Sequence, residues 1–253
     1  MATISREYVD AFNAQLDGVS EHAKRMLADQ LAGIDAGDYE RIARIMRLRL
    51  SPYTKMSEAL ACRFYDGIRQ AAGAPGDYHA ELPEDDGGEK VYRDSYAVAR
   101  ETVAAGAGAH MAERMGDLAQ REIGEAANNA VAHNTKRDPA KPKCASVPTA
   151  ANPCEWCRMR ASAGFIYDQD SDSHNNCKCR LVPGFKGSAK VEGYDPAPYR
   201  EEWDAAAEAY RSGDIDDDLK EQIAEAKARH NSNPNSTKPW DDTNAILMVM
   251  RRM

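Results

Sequence analysis

The sequence predicts a mainly α protein that carries a small β and irregular subdomain of zinc-knuckle type, an α+β arrangement dominated by helices. Three observations predict it. Apolar residues recur at three- and four-residue steps through most of the first 135 positions, and acidic, alanine-rich helical patterns return after Pro196. Between them, five of the six cysteines crowd into the stretch from Cys144 to Cys179. The division that follows is a helical domain over 1–140, a Cys/His metal-knuckle subdomain with short strands over 141–190, and an acidic helical arm with an apolar tail over 191–253.

Taken in order, Tyr8, Val9, Phe12, Leu16 and Val19, continued by Ala23, Met26 and Leu27, form the stripe of one long amphipathic helix ending near Gly33. Tyr39, Ile42, Ala43, Met46 and Leu50 mark a second. Ser51-Pro52 supplies a stop for that helix and a cap plus first-turn proline for a third, which carries Met56, Leu60, Phe64 and Ile68. From Gly73 to Gly88, glycines, Pro75, Pro83 and the acidic Glu84-Asp85-Asp86 predict a loop of a composition compatible with disorder. Helical character resumes from about Val91 to Asn134. Gly106, Gly108, Gly116 and Gly124 interrupt it, and predict either two helices with a break near Gly106-Ala107-Gly108 or close helix packing at the small residues.

The stretch from Pro139 to Pro183 reads as turn-rich and a poor helix former throughout. Phe165-Ile166-Tyr167 and Arg180-Leu181-Val182 are expected to form two short strands that bring the cysteine pairs together. A helix from about Tyr199 to Arg211 and a second, acidic one from about Asp216 to Arg229 follow. A polar linker then leads to an apolar plug, Asn244 to Met253, expected to dock on its own domain.

The cysteines carry the chemistry. Cys154-x-x-Cys157 presents two sulfurs from a tight turn, and Cys177-x-Cys179 in extended chain points both sulfurs to one face. The 19 residues between Cys157 and Cys177 fall within the range of structural zinc sites. No charged and then apolar leader pattern opens the chain, so a reducing compartment is expected, which favours metal over disulfides. Candidate ligands of a structural Zn2+ are Cys154, Cys157, His174, Cys177 and Cys179. The set is either the four thiolates or three of them with His174. Cys62 and Cys144 read as ordinary thiols.

Composition bounds the rest. Aromatic residues make up 7% of the chain and mean hydropathy is −0.68, which predicts a thin core. No apolar run approaches the length of a membrane span, so no membrane partner is expected. The net charge of −8 hides a segregation: ten Lys/Arg against five Asp/Glu from Lys136 to Lys190, then twelve acids against four bases from Glu192 to Lys227. An acidic total argues against a general nucleic-acid coat.

Catalytic patterns are weak. The phosphate-cradling G-x-x-x-x-G-K-[ST], G-x-S-x-G and H-E-x-x-H are absent. Asp168, Asp170 and Asp172 read as solvated surface. His79-x-Glu81 with Pro153-Cys154-x-x-Cys157 spells the letters of a zinc-dependent nucleobase deaminase, but Leu82-Pro83 follows at once where that fold needs a helix. A four-thiolate site leaves no position for water, so no enzyme is expected. A second alternative is a zinc module that binds nucleic acid through Lys178, Arg180, Lys186 and Lys190.

A resemblance runs through these residues. Ala119-Gln120-Arg121-Glu122 through His133-Asn134 to Arg137-Asp138, then Cys154-x-x-Cys157-Arg158-Met159, Ala161-Ser162-x-Gly164, His174-x-x-Cys177-x-Cys179-Arg180-x-Val182-Pro183 and Val191-Glu192-Gly193-Tyr194-Asp195-Pro196 resemble MuF-like minor capsid proteins of tailed phages and prophages of actinobacteria. The similarity covers Leu118 to Pro198. It implies a phage head morphogenesis protein, a minor virion component made in the bacterial host cytoplasm and placed at the inner side of the capsid. Its implied partners are the portal protein and the major capsid protein, with packaged DNA a further one. It also implies that the Cys/His segment is the family hallmark, here Cys154, Cys157, His174, Cys177 and Cys179. An appended toxin or ADP-ribosyltransferase domain, of the kind some relatives carry, is not expected here.

Overall fold

Ser5 begins the first helix, its hydroxyl accepting the Tyr8 N–H at 3.2 Å, and α1 then runs from Arg6–Leu31. The computed structural model describes residues 3–84, 88–167, 177–185, 189–232 and 239–253. Val9, Phe12, Leu16, Val19, Ala23 and Leu27 of the expected stripe are buried and Leu31 continues it, while Tyr8 is exposed and Met26 half-buried. The chain forms two units, one over Met1–Thr149 and Phe165–Tyr194, the other over Ala150–Gly164 and Asp195–Met253.

In the first unit, α2 spans Tyr39–Ala71, α3 spans Glu89–Ala104, and α4 spans Met111–Arg137 after a single 3-10 turn at Gly108–His110. The break predicted at Gly106 and Gly108 is therefore present. The break predicted at Ser51-Pro52 is not: α2 is one helix with Pro52 inside it. Pro52 is exposed and the carbonyl it cannot serve belongs to Leu48, 69% exposed. The lost hydrogen bond thus falls on the solvent side, where water replaces it.

α4 lies at the centre, packed by α1, α2, α3 and the sheet, and is buried on most of its circumference. Small residues permit this. Ala119, Ala127, Ala130 and Ala132 are buried along it, and at Gly124 and Gly116 an added Cβ would still find ordinary contact, 3.5 Å from the Arg180 guanidinium and 3.4 Å from Lys24. The core has two parts, one around Val19, Leu27, Met46, Leu50, Met115 and Ile123, the other around Phe12, Phe64, Tyr65, Val131, Val147 and Leu181.

The small β element is built differently from the expected strand pair. β1 (Thr3–Ile4) pairs in parallel with β4 (Lys190–Val191). β2 (Lys143–Pro148), which the sequence reading missed, pairs antiparallel with β3 (Cys179–Gly184) in the register Cys144↔Pro183 and Pro148↔Cys179. Tyr167 contributes one bridge, to Cys144 on the free side of β2, and Phe165 and Ile166 lie in a turn. β2 escaped notice because Lys143-Cys144-Ala145-Ser146-Val147-Pro148 lacks alternation: five of its six residues are buried, as in a strand covered on both faces.

The loop after α2 is also firmer than its composition suggested. Asn134 of α4 grips the Glu81 peptide with both ends of its amide, accepting from Glu81 N–H at 2.7 Å and donating to Glu81 C=O at 2.9 Å. Tyr78 O–H donates to the same Asn134 oxygen at 2.7 Å, and Arg69 donates to the carbonyls of Pro75 and Gly76. Asp85 and Asp86 lie outside the described residues.

The second unit is helical. α5 spans Glu155–Ser162, α6 Pro196–Ser212, α7 Asp217–Ser232 and α8 Asp242–Arg252. α5 corrects the reading of 139–183 as helix-free; Trp156 and Met159 anchor it in an apolar cluster with Trp203, Ala206, Ala207, Leu219, Ile223, Leu247 and Met250. Ion pairs Arg158–Glu202 and Arg251–Glu155 rim this cluster, and Arg200 donates to Ser162 C=O at 2.9 Å. α8 is the apolar plug, docked within its own unit as expected; Ala245, Ile246, Leu247, Val249 and Met250 are buried. Most of the polar linker before it lies outside the described residues.

Candidate metal centre

Cys157 sits in the first turn of α5 with Cys154 as the residue that precedes the helix, so the Cys-x-x-Cys pair occupies a helix start and not the expected isolated turn. That end of a helix favours anionic sulfur. Cys179 opens β3 and Cys177 lies two residues before it. Their stretch is fixed from α4, where Asn128 donates to Cys179 C=O at 3.2 Å and accepts Leu181 N–H at 3.0 Å. Thr149 O–H donates to Lys178 C=O, and Lys178 pairs with Asp17 at 3.2 Å.

Cys157, Cys177 and Cys179 are three close cysteines that could hold a metal ion. Cys157 and Cys179 are buried and Cys177 half-buried. Cys154 is not one of the three, and His174 lies outside the described residues, as do Asp168, Asp170 and Asp172. No disulfide joins any of the six cysteines.

The other thiols sit in packed surroundings. Cys144 is buried in β2 with its sulfur 3.1 Å from Thr135 Oγ1. Cys62 S–H donates to Glu81 C=O at 3.3 Å, and burial pushes its thiol up to about 11.

The basic set Lys178, Arg180, Lys186 and Lys190 does not form a surface patch. Arg180 is buried at 3% exposure, Lys178 is ion-paired, and Lys186 lies outside the described residues. His79-Ala80-Glu81 lies in the irregular segment gripped by Asn134, and the Glu81 carboxylate pairs with Arg137 at 3.3 Å. Neither His79 nor Glu81 belongs to the metal-competent group found among the described residues.

Sequence reasoning missed Asn128 and Asn134, which each hold the backbone of a neighbouring segment by a two-ended amide. No signal in the sequence singled them out, since the same helix also carries Gln120 and Asn129.

The fold and the thiol group define a mainly α protein with a small β element and a cysteine cluster able to take a metal. The chain belongs to the VG15 protein family, whose model matches residues 3–206. It is therefore a viral protein of the phage kind. No curated protein and no solved structure matches it. Among the described residues, no helix is long and apolar enough to cross a membrane.

Proposed function

We propose that the protein is a minor structural component of a tailed-phage head, an assembly factor of the MuF-like type that works at the portal and the inner face of the capsid. The observation that carries this reading is the family match, which runs unbroken from the first helix through the cysteine segment into α6. The residues of the MuF-like resemblance, Leu118 to Pro198, fall inside that match. Its partners on this reading are the portal protein and the major capsid protein, with packaged DNA nearby, and it performs no catalysis.

A structural Zn2+ belongs to the same proposal. Cys157, Cys177 and Cys179 would hold it, with Cys154 or His174 as the fourth ligand, and a closed thiolate-rich shell would brace the segment without activating water. Elemental analysis of reduced protein should find one zinc per chain, lost on Cys177→Ser and retained on Cys144→Ala. Zinc-free reduced protein would remove this part alone.

The functional reading is tested by mass spectrometry of purified particles and by co-purification with a portal oligomer. Its presence in particles, at few copies, is the expected result. Absence from both preparations overturns the head assignment.

A further inference from the structure

One face of α2 is exposed along most of its length. Arg41, Arg44, Leu48, Pro52, Met56 and Arg63 recur at steps of three, four and seven residues, which sets them along one side of the helix over roughly 33 Å. All six are exposed, Leu48 at 69% and Met56 at 53%. Of the other cations of this helix, Arg47 pairs with Glu89 at 2.6 Å, Lys55 with Glu58 at 3.1 Å and Arg69 with Asp138 at 2.9 Å, while Arg49, also exposed, stands about 100° round the helix from Leu48. Among the described residues, Arg41, Arg44 and Arg63 pair with no carboxylate, in a chain with 41 acidic residues against 33 basic ones.

An ordinary solvated helix face would alternate charges and keep large apolar groups inward. This face instead sets an exposed leucine, proline and methionine between arginines, and Met and Arg are the residue types enriched in protein interfaces. Duplex phosphates would satisfy the arginines but gain little from the apolar line between them. Leu48, Pro52 and Met56 form an i, i+4, i+8 ridge, the shape that seats in the groove of a facing helix. The uncompensated positive charge then requires that helix to be acidic.

We propose that this face docks an acidic amphipathic helix of another protein, with the partner's apolar residues on Leu48, Pro52 and Met56 and its carboxylates on Arg41, Arg44 and Arg63. The proposal does not rest on the phage-head reading, since it needs only the geometry and charge of α2.

The test uses the full chain and a fluorescent helical peptide of about 20 residues, long enough to hold helix, with leucines at three- and four-residue steps on one face and glutamates beside them. A matched peptide with lysines in place of the glutamates and a duplex DNA of similar length are the comparison probes. Binding is read by fluorescence anisotropy. The acidic peptide should bind and the lysine peptide should not, and raising the salt should weaken binding. Arg41→Glu with Arg44→Glu, and separately Leu48→Asp, should each weaken it at least roughly tenfold, the size expected of interface anchors. All three positions are exposed, so the variants should keep the wild-type circular dichroism and melting temperature. Failure of the acidic peptide to bind, or binding indifferent to these variants, overturns the proposal. Tighter binding of the duplex would make the face a nucleic-acid surface. Sedimentation showing self-association that these variants abolish would assign it to a second copy. Either result overturns the proposal as stated.

Discussion

Replacing Asp138 with alanine should be among the most damaging single changes in the first unit, because it strands a buried cation. Asp138 follows α4 at 1% exposure. Its Oδ2 accepts from Arg69 Nε at 2.9 Å and from the Tyr65 hydroxyl at 3.1 Å, while Oδ1 accepts the Ala140 N–H at 2.8 Å. The Arg69 side chain is itself only 8% exposed. Its remaining partners, the Pro75 and Gly76 carbonyls, carry no formal charge. Breaking a buried pair by removing one partner costs about 3–5 kcal/mol, since the desolvated guanidinium keeps its penalty and loses its compensation.

Urea denaturation of the first unit, followed by circular dichroism, should show a loss of that size for Asp138→Ala. Asp138→Asn, which keeps the shape and one acceptor, should lose less. The double change Arg69→Met with Asp138→Leu should also cost less than Asp138→Ala, because it removes both charges together. A loss under about 1 kcal/mol for Asp138→Ala would refute the reasoning, as would a double variant worse than the single.

Four further outcomes are expected. Burial raises the Cys62 thiol from 9.0 to about 11, so stability present below pH 9 should be lost as pH rises through about 11, and Cys62→Ala should flatten that decline. The same shift should make Cys62 react with a thiol reagent at pH 8 about 100-fold more slowly than a free cysteine, which mass-mapped labelling would measure. Pro52→Ala should stabilise α2, by up to about 3 kcal/mol in thermal or urea unfolding, since it restores the N–H that can serve Leu48; destabilisation would show that the proline ring is packed in a way the exposed position does not suggest. Met250→Ala should cost the second unit about 2–5 kcal/mol by opening a cavity under α8, visible as a loss of near-ultraviolet signal from Trp203 and Trp240 on milder denaturation.

The helices were legible because their signals are local. The stripe from Val9 to Leu27 and the glycine break before α4 are each set within a few residues by period and backbone preference. α8 was legible for a similar reason, since an apolar run at that density has to be covered. The clustering of the cysteines was visible in their spacing alone.

What the tertiary structure decided are the relations between distant residues. Lys143–Pro148 became a strand because Cys179–Gly184 offers its hydrogen bonds and the core covers it, neither of which its own letters announce. Trp156 made a helix of the Cys-x-x-Cys segment by burying itself against α6 and α8 residues some fifty to ninety positions away. The loop around Glu81 is ordered by an amide 53 residues further on, and Arg180, a surface cation by its neighbours in sequence, is buried. Local period fixes which face of an element is apolar. Only the assembled chain fixes what meets that face, because each long-range contact must outweigh the entropy of closing the loop that makes it.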